Sequence, residues 1–191
     1  EDIDGGESTN HENPESNHIT ESATIGNSKP SLQIEFIDIQ SGIYVTEPLE
    51  IDVSAYDRDS DIPELTSIWY RDGFRISSLD NQSLVPTDWL GVGQTWSVSV
   101  TADDGFGGIT TEPSSQITID NLAPSADFII PESVMIESDT VLDAQSSSDV
   151  DGSIVAWFWT IGESTYSGPV VSHEFGLGTT EVNLTVLDEH G

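Results

Sequence analysis

No cysteine occurs among the 191 residues. That absence removes disulfide frameworks, thiolate-ligated metals and cysteine nucleophiles together. Any folded unit must therefore stand on its apolar core, helped at most by ions held through oxygen. Positive charge is almost as scarce: Lys29, Arg58, Arg71 and Arg75 face 35 acidic side chains, for a net charge of −31. A surface of that sign repels nucleic-acid phosphates and anionic lipid headgroups, so neither is an expected partner. It attracts cations and favours solubility, and it loses stability to self-repulsion unless salt or bound ions screen it. Such a balance suits a saline or calcium-rich exterior.

Long apolar runs are missing as well. None approaches the roughly 18–20 residues of a membrane span, and no signal peptide opens the chain. The sequence begins at Glu1 in place of a methionine and reads as a segment of a longer protein. No stretch carries the period of a usable amphipathic helix. Residues 1–30 hold almost no apolar side chains, too few to offset the entropy of ordering, and read as a disordered acidic linker. His11 and His18 lie in it and read as solvated histidines in preference to a metal pair.

From Ser31 onward the pattern has period two. Leu49, Ile51, Val53 and Ala55 alternate with Glu50, Asp52 and Ser54; Trp96, Val98, Val100 and Ala102 alternate with Ser97, Ser99 and Thr101. Ile117 with Ile119, and Val182 with Leu184 and Val186, continue the pattern. Strict alternation marks strands with one buried face. Turn pairs such as Asp72-Gly73, Asp104-Gly105 and Gly107-Gly108 punctuate them. The fold class expected is all-β, built as antiparallel sandwiches. In SLQIEFIDIQ the parity slips after Phe36, which predicts a bulge or a strand crossing between sheets.

The organisation repeats. Ile51 to Gly73 and Leu142 to Gly162 each run from a strand through an Asp-rich loop to a tryptophan strand closed by a glycine turn. Trp69 and Trp159 are equivalent and about 90 residues apart, the length of one sandwich domain. The first copy continues past its acidic turn ADDG into ITTEPSSQITID, whereas the second ends at LDEHG, one strand short of a finished sandwich. Two tandem Ig-like sandwiches are therefore expected at 31–122 and 123–191. The Pro124 junction, DNLAPSADF, is short enough to limit their swing.

Residues 125–191 resemble a PKD (polycystic kidney disease) domain. The likeness rests on the acidic loop Ser148 to Gly152, Trp157 and Trp159, Gly162, His173 with Phe175, and the closing Val182 to Asp188. One departure is Trp159-Thr160-Ile161-Gly162-Glu163-Ser164, where the family usually has Trp-Asp-Phe-Gly-Asp-Gly. Residues 31–120 resemble Ig-like or cadherin-like modules more loosely, through Trp69, the stretch from Gly93 to Gly105 and the Asn-Leu-Ala-Pro exit. The resemblance implies an extracellular spacer or adhesion module, sometimes attached to a secreted hydrolase, and implies no catalysis.

The chemistry that remains is acidic. Asp57, Asp59 and Asp61 with Asp103 and Asp104 form one candidate calcium cluster; Asp149 and Asp151 with Asp188 form another. Calcium takes six to eight oxygens, as carboxylates and loop carbonyls can supply. The alternative is a solvated turn, in which aspartate is favoured for its side-chain-to-backbone bonds. DRDSD is no EF-hand, since Ile62 and Ile68 stand where glycine and glutamate are required. No nucleophile elbow, zinc-protease helix or phosphate loop is present, so no enzyme is expected in this segment. Two sequons, at Asn81 and Asn183, are compatible with a surface address. The sum predicts a non-catalytic structural or adhesion segment of a cell-surface or secreted protein. Its expected partners are its neighbouring domains and an extracellular protein or polysaccharide. The alternative is an accessory binding module of a secreted hydrolase.

Overall fold

The computed structural model describes Glu21 and residues 26–39, 42–131 and 133–191. Most of the linker expected at 1–30, with His11 and His18, lies outside the described residues. The strands coincide with the period-two segments. In the first unit they are β1 (Ser31–Phe36), β2 (Leu49–Tyr56), β3 (Glu64–Arg71), β4 (Phe74–Arg75), β5 (Leu84–Val85), β6 (Thr95–Asp103), β7 (Ile109–Pro113) and β8 (Ile117–Thr118). In the second they are β9 (Asp139–Asp143), β10 (Ile154–Ile161), β11 (Ser164–Ser167), β12 (Val170–Glu174) and β13 (Val182–Asp188).

Every strand pairing is antiparallel. In the first unit a β1-β2-β5 sheet lies over a β4-β3-β6-β7 sheet, with β8 also on β6. In the second a β11-β10-β13 sheet lies over β12-β9. The inner faces carry the alternating apolar residues. In β6, Trp96, Val98, Val100 and Ala102 are all buried while the residues between them are partly exposed. The β3–β4 hairpin turns through Asp72 and Gly73 at φ 52° and 80°, the twist a two-residue hairpin needs, which glycine adopts without strain.

Each core is organised on one tryptophan. Trp69 is fully buried, meets Trp96 edge-on at 6.4 Å and donates from Nε1 to the Gln82 carbonyl at 2.9 Å. Trp159 is equally buried, meets Phe128 edge-on at 5.2 Å and donates to the Gly168 carbonyl at 2.9 Å. A tryptophan placed so fills the space between sheets and satisfies its one donor. The two cores differ in size. Leu49, Ile51, Leu79, Val85, Val98, Val100, Ile117 and Ile119 are buried around Trp69 and Trp96, against Leu142, Ala144, Ile161 and Val171 around Trp159.

Two sequence expectations are corrected here. The parity slip after Phe36 is neither a bulge nor a sheet crossing: β1 ends at Phe36, and Ile37 and Ile39 are 42% exposed in the turn beyond it. The stretch ITTEPSSQITID is not one strand but two, since between β7 and β8 the Ser114 hydroxyl oxygen accepts the Val98 N–H while the Ser114 N–H donates to the Val98 carbonyl. The equivalent of β6 in the second unit is β13. It pairs with β10 on one edge and has no neighbour on the other among the described residues.

Candidate functional site

The Asp-rich loops lie where each sandwich is entered. β1 starts opposite the end of β2, and β3 starts opposite the end of β6, so Asp57, the loop through Asp61 and Asp104 share one pole with the incoming chain. Asp57 is 4% exposed and uses Oδ1 to accept the Asp59 N–H at 2.7 Å. Asp59 Oδ2 accepts both the N–H and the hydroxyl of Ser28, at 2.5 and 2.7 Å. Asp104 is 5% exposed; Oδ1 takes the Phe106 and Gly108 N–H groups and Oδ2 takes Asn27 Nδ2 at 2.8 Å. Residues 27–30, placed in the linker by composition, are thus clasped to the first sandwich, with the Pro30 carbonyl accepting from Thr110 as well.

The second pole repeats this ring. Asp149 Oδ1 accepts the Asp151 N–H at 3.2 Å. Asp151 Oδ2 accepts the Leu122 N–H at 2.9 Å, and Asp188 Oδ2 accepts Asn121 Nδ2 at 2.9 Å. Asp188, 3% exposed, also takes the His190 and Gly191 N–H groups on Oδ1. The correspondence is residue for residue: Asn27 with Asn121, Ser28 with Leu122, Asp57 with Asp149, Asp59 with Asp151, Asp104 with Asp188. In both, the aspartate gathers backbone donors two residues on, the local geometry that favours this residue in turns.

The electrostatics reflect that bonding. The Ser28 hydroxyl and N–H hold the Asp59 carboxyl below the usual range. The Asn121 amide does the same for Asp188, against the opposing effect of its burial. At Asp104 burial pushes upward but Asn27 and the loop N–H groups outweigh it, and the carboxyl is lowered. Asp61 is raised, by desolvation first and then by Asp57, Asp104 and Asp59. Asp103 is not among the charges acting on Asp61; its carboxylate closes the turn onto Gly105 N–H. The structure therefore gathers Asp57, Asp59, Asp61 and Asp104 at one pole and Asp149, Asp151 and Asp188 at the other.

Oxygens remain unsatisfied at both poles. Asp57 Oδ2, Asp149 Oδ2, Asp151 Oδ1 and Asn121 Oδ1 are buried with no hydrogen-bond partner. A buried carboxylate oxygen without a donor is costly and wants a cation or a water. Among the described residues, however, no three His, Cys, Asp or Glu side chains are already close enough to hold a metal ion. Asn27, Asn121 and the backbone of Ser28 and Leu122 were not legible as site residues from the loops alone.

The joint between the sandwiches runs through the second pole. Ile119 exchanges backbone bonds with Gly93 and Gln94, and Asp120 N–H donates to the Ile43 carbonyl at 2.6 Å. The next two residues, Asn121 and Leu122, bond to the second unit. Each residue from Ile119 to Leu122 thus makes a hydrogen bond to one sandwich or the other. Beside this strip, Val45, Thr87, Asp88, Leu90 and Gly91 face Val150, Asp151, Gly152 and Ser153 across an open crevice. Elsewhere His173 hydrogen-bonds Tyr166 at 2.8 Å and stacks edge-on against Phe175, a packing role.

Comparison with known proteins places these observations. The chain is 36% identical over 80 residues to the pre-pro-metalloprotease PrtV of Vibrio cholerae, covering 40% of this chain and 8% of that protein. It is 32% identical over 88 residues to collagenase ColA of Clostridium perfringens, covering 45% of this chain and again 8% of the relative. The chain thus spans only a small fraction of the relatives it matches. A fibronectin(III)-like module structure of Clostridium thermocellum CbhA aligns over 82% of this chain and 86% of its own, at 12% identity and a TM-score of 0.34, too low to argue from. The family model of the PKD domain matches residues 121–191, beginning at the asparagine that latches onto Asp188. The second sandwich, entered through Asn121 and built on Trp159, is the part of the chain that matches the PKD domain.

Proposed function

We propose that this chain is a non-catalytic accessory segment of a secreted protease, a stiff pair of sandwiches that holds or spaces a catalytic domain lying elsewhere in the protein. The observation that carries the reading is the local likeness to two proteases, each matched over only 8% of its length, as expected of a module and not of a catalytic domain. An extracellular address agrees with the pre-pro form named for one relative and with the acidic surface. No helix among the described residues is long and apolar enough to cross a membrane. The partners it fits are its neighbouring domains and an extracellular protein or polysaccharide.

The hydrogen-bonded joint also favours a second reading, a spacer or adhesion segment of a cell-surface protein, in which stiffness is the function. One experiment separates the two. The full-length protein is assayed with and without residues 27–191 on a small soluble peptide and on an insoluble protein substrate. The accessory reading expects peptide hydrolysis to be kept and turnover of the insoluble substrate to fall. A full-length protein without peptidase activity leaves the spacer reading, and equal loss on both substrates overturns the accessory role.

Calcium belongs to this reading at the second pole. The donor set there is all oxygen: Asp149, Asp151 and Asp188 with Asn121, three of whose oxygens lack a partner. A hard divalent cation suits such a set. Bound there, it would neutralise carboxylates from two loops and take the Asn121 amide oxygen from the linker, and so tighten the joint.

A further inference from the structure

We propose that a slot on the flank of the first sandwich, beside Ser67, receives an aromatic side chain, tryptophan above all, from a polypeptide partner. The inference goes beyond the accessory reading and does not depend on it. It stands on what the second sandwich does at the same place.

The slot runs between the two sheets, where β2 has passed β5 and β3 has not yet reached β4. Buried Ile51 and Val100 form its floor, Val53, Leu65 and Ser67 its walls, and the exposed turn from Asn81 to Ser83 its rim. Its volume is about 290 Å³, room for one large side chain. No residue lining it is charged, in a chain of net charge −31. The rim is held in place from below. The Asn81 side-chain oxygen accepts the Ser67 N–H at 3.1 Å, and the Gln82 carbonyl accepts both the Ser67 hydroxyl and the Trp69 indole N–H.

The same bonding recurs in the second sandwich, and there a tryptophan stands at the slot. The Asn81 N–H donates to the Ser67 carbonyl, two residues before Trp69; the Gly168 N–H donates to the Trp157 carbonyl, two residues before Trp159. Across the slot the Ile51 N–H donates to the Ser83 carbonyl, and the Ala144 N–H to the Pro169 carbonyl. Ser67 therefore corresponds to Trp157. Trp157 packs on the core formed by Leu142, Ala144 and Trp159, with its indole N–H out of water. Where the second sandwich supplies its own indole, the first has a serine, and Leu65 is left 41% exposed. Ile51 is larger than Ala144 and takes part of the room, yet the slot remains. An aromatic ring brings a large apolar area at little cost in side-chain entropy. A sugar ring would have to bury hydroxyls unpaired against Ile51 and Val100.

The test is titration of the intact chain with N-acetyltryptophanamide, followed by NMR at the Ser67 amide and the Leu65 and Val100 methyls. N-acetylleucinamide and maltohexaose are titrated in parallel. The tryptophan probe is expected to give saturable shifts with a dissociation constant on the order of 1 mM, the leucine probe binding about tenfold more weakly and the sugar causing no shift. Ser67→Trp fills the slot from within and should abolish the shifts, with protected β6 amides showing that the sandwich is folded. Leu65→Asp, at a wall already in part exposed, is the second variant and should weaken binding about tenfold or more. It decides the matter if Ser67→Trp does not fold. No saturable shift from the tryptophan probe, or equal binding of the leucine probe, overturns the proposal. Shifts caused by the sugar, or shifts kept by both folded variants, overturn it as well.

Discussion

The side-chain amide of Asn121 donates to Asp188 Oδ2 at 2.9 Å, tying the strand that leaves one sandwich to the turn that ends β13 of the next. Asp188 is 3% exposed, so this amide is the side-chain donor that a nearly buried carboxylate depends on. Asn121→Ala leaves that oxygen short of a donor and is expected to destabilise the turn. The loss is expected in the second unit, followed by hydrogen exchange of the β10 and β13 amides. Asn27→Ala is the matching change on Asp104 and should act on the first unit instead. Unfolding of the second unit unmoved by Asn121→Ala would show the latch to be incidental.

Acid should act on the poles in a fixed order. The Asp104 and Asp188 carboxyls are held below the usual value of 3.8, so their contribution is present at pH above that value and fades as pH falls through their own lower values. Asp61 is raised above 3.8, and for it the sign is opposite. Protonation there removes repulsion within the fold, so its unfavourable effect is relieved as pH falls through its raised value. Lowering pH from neutral toward 4 should therefore leave both latches bonded, and the latches should open only below the ordinary carboxylate range. NMR titration of the Asn27 and Asn121 side-chain amides checks this; loss of both signals already near pH 5 would contradict it.

Much of the fold was legible because burial writes a period into a strand. Trp96 to Ala102 alternate in the sequence and are buried in alternation in the sheet. The equivalence of Trp69 and Trp159 likewise survives down to the carbonyl each indole nitrogen reaches. The poles were legible only in part. An aspartate in a turn looks the same whether it ends its bonding locally, as Asp103 does on Gly105, or faces a carboxylate from another loop, as Asp61 does. Asn27 was hidden for a different reason: its partner, Asp104, lies 77 residues away, and a polar residue in a polar stretch has no period to betray it. The end of β1 was missed because Ile37 and Ile39 are apolar yet half exposed.

Gly108 offers a test of the clasp that spares the core. A Cβ on this residue would collide with Asp104 Oδ2 and lie 2.9 Å from the Ser28 carbonyl oxygen. Neither contact is sustainable, and the second is backbone. Gly108→Ala should therefore push residues 27–28 off the pole and free the Asp104 side chain, while the tryptophan core stays packed. Hydrogen exchange is the measurement. Faster exchange at Ser28, with β6 amides still protected, is expected; unchanged protection at Ser28 would mean the loop yields in some other way. Gly176→Ala, where nothing lies within 4 Å and φ is not positive, is the control for an added methyl group alone.

Phe158 tests the parity of the central strand of the second unit. It stands between Trp157 and Trp159 in β10, and its register partners are Thr185 on β13 and Ser167 on β11. Trp159 is 1% exposed and Phe158 is 48% exposed, so the two rings point to opposite faces of the sheet, as strand geometry requires. A half-exposed ring opposite a threonine and a serine contributes little to folding, and its replacement by serine belongs with surface changes that stay within about 0.5 kcal/mol. Trp159→Ala, by contrast, empties the middle of the core and leaves the Gly168 carbonyl without its donor, at a cost of about 3–5 kcal/mol. Comparing the midpoints of urea unfolding for Phe158→Ser and Trp159→Ala against the native chain decides the matter. Near-native stability for the first and collapse of the second unit for the second are expected. A Phe158→Ser chain that unfolds like the tryptophan variant would place Phe158 in the core and reverse the facing of β10.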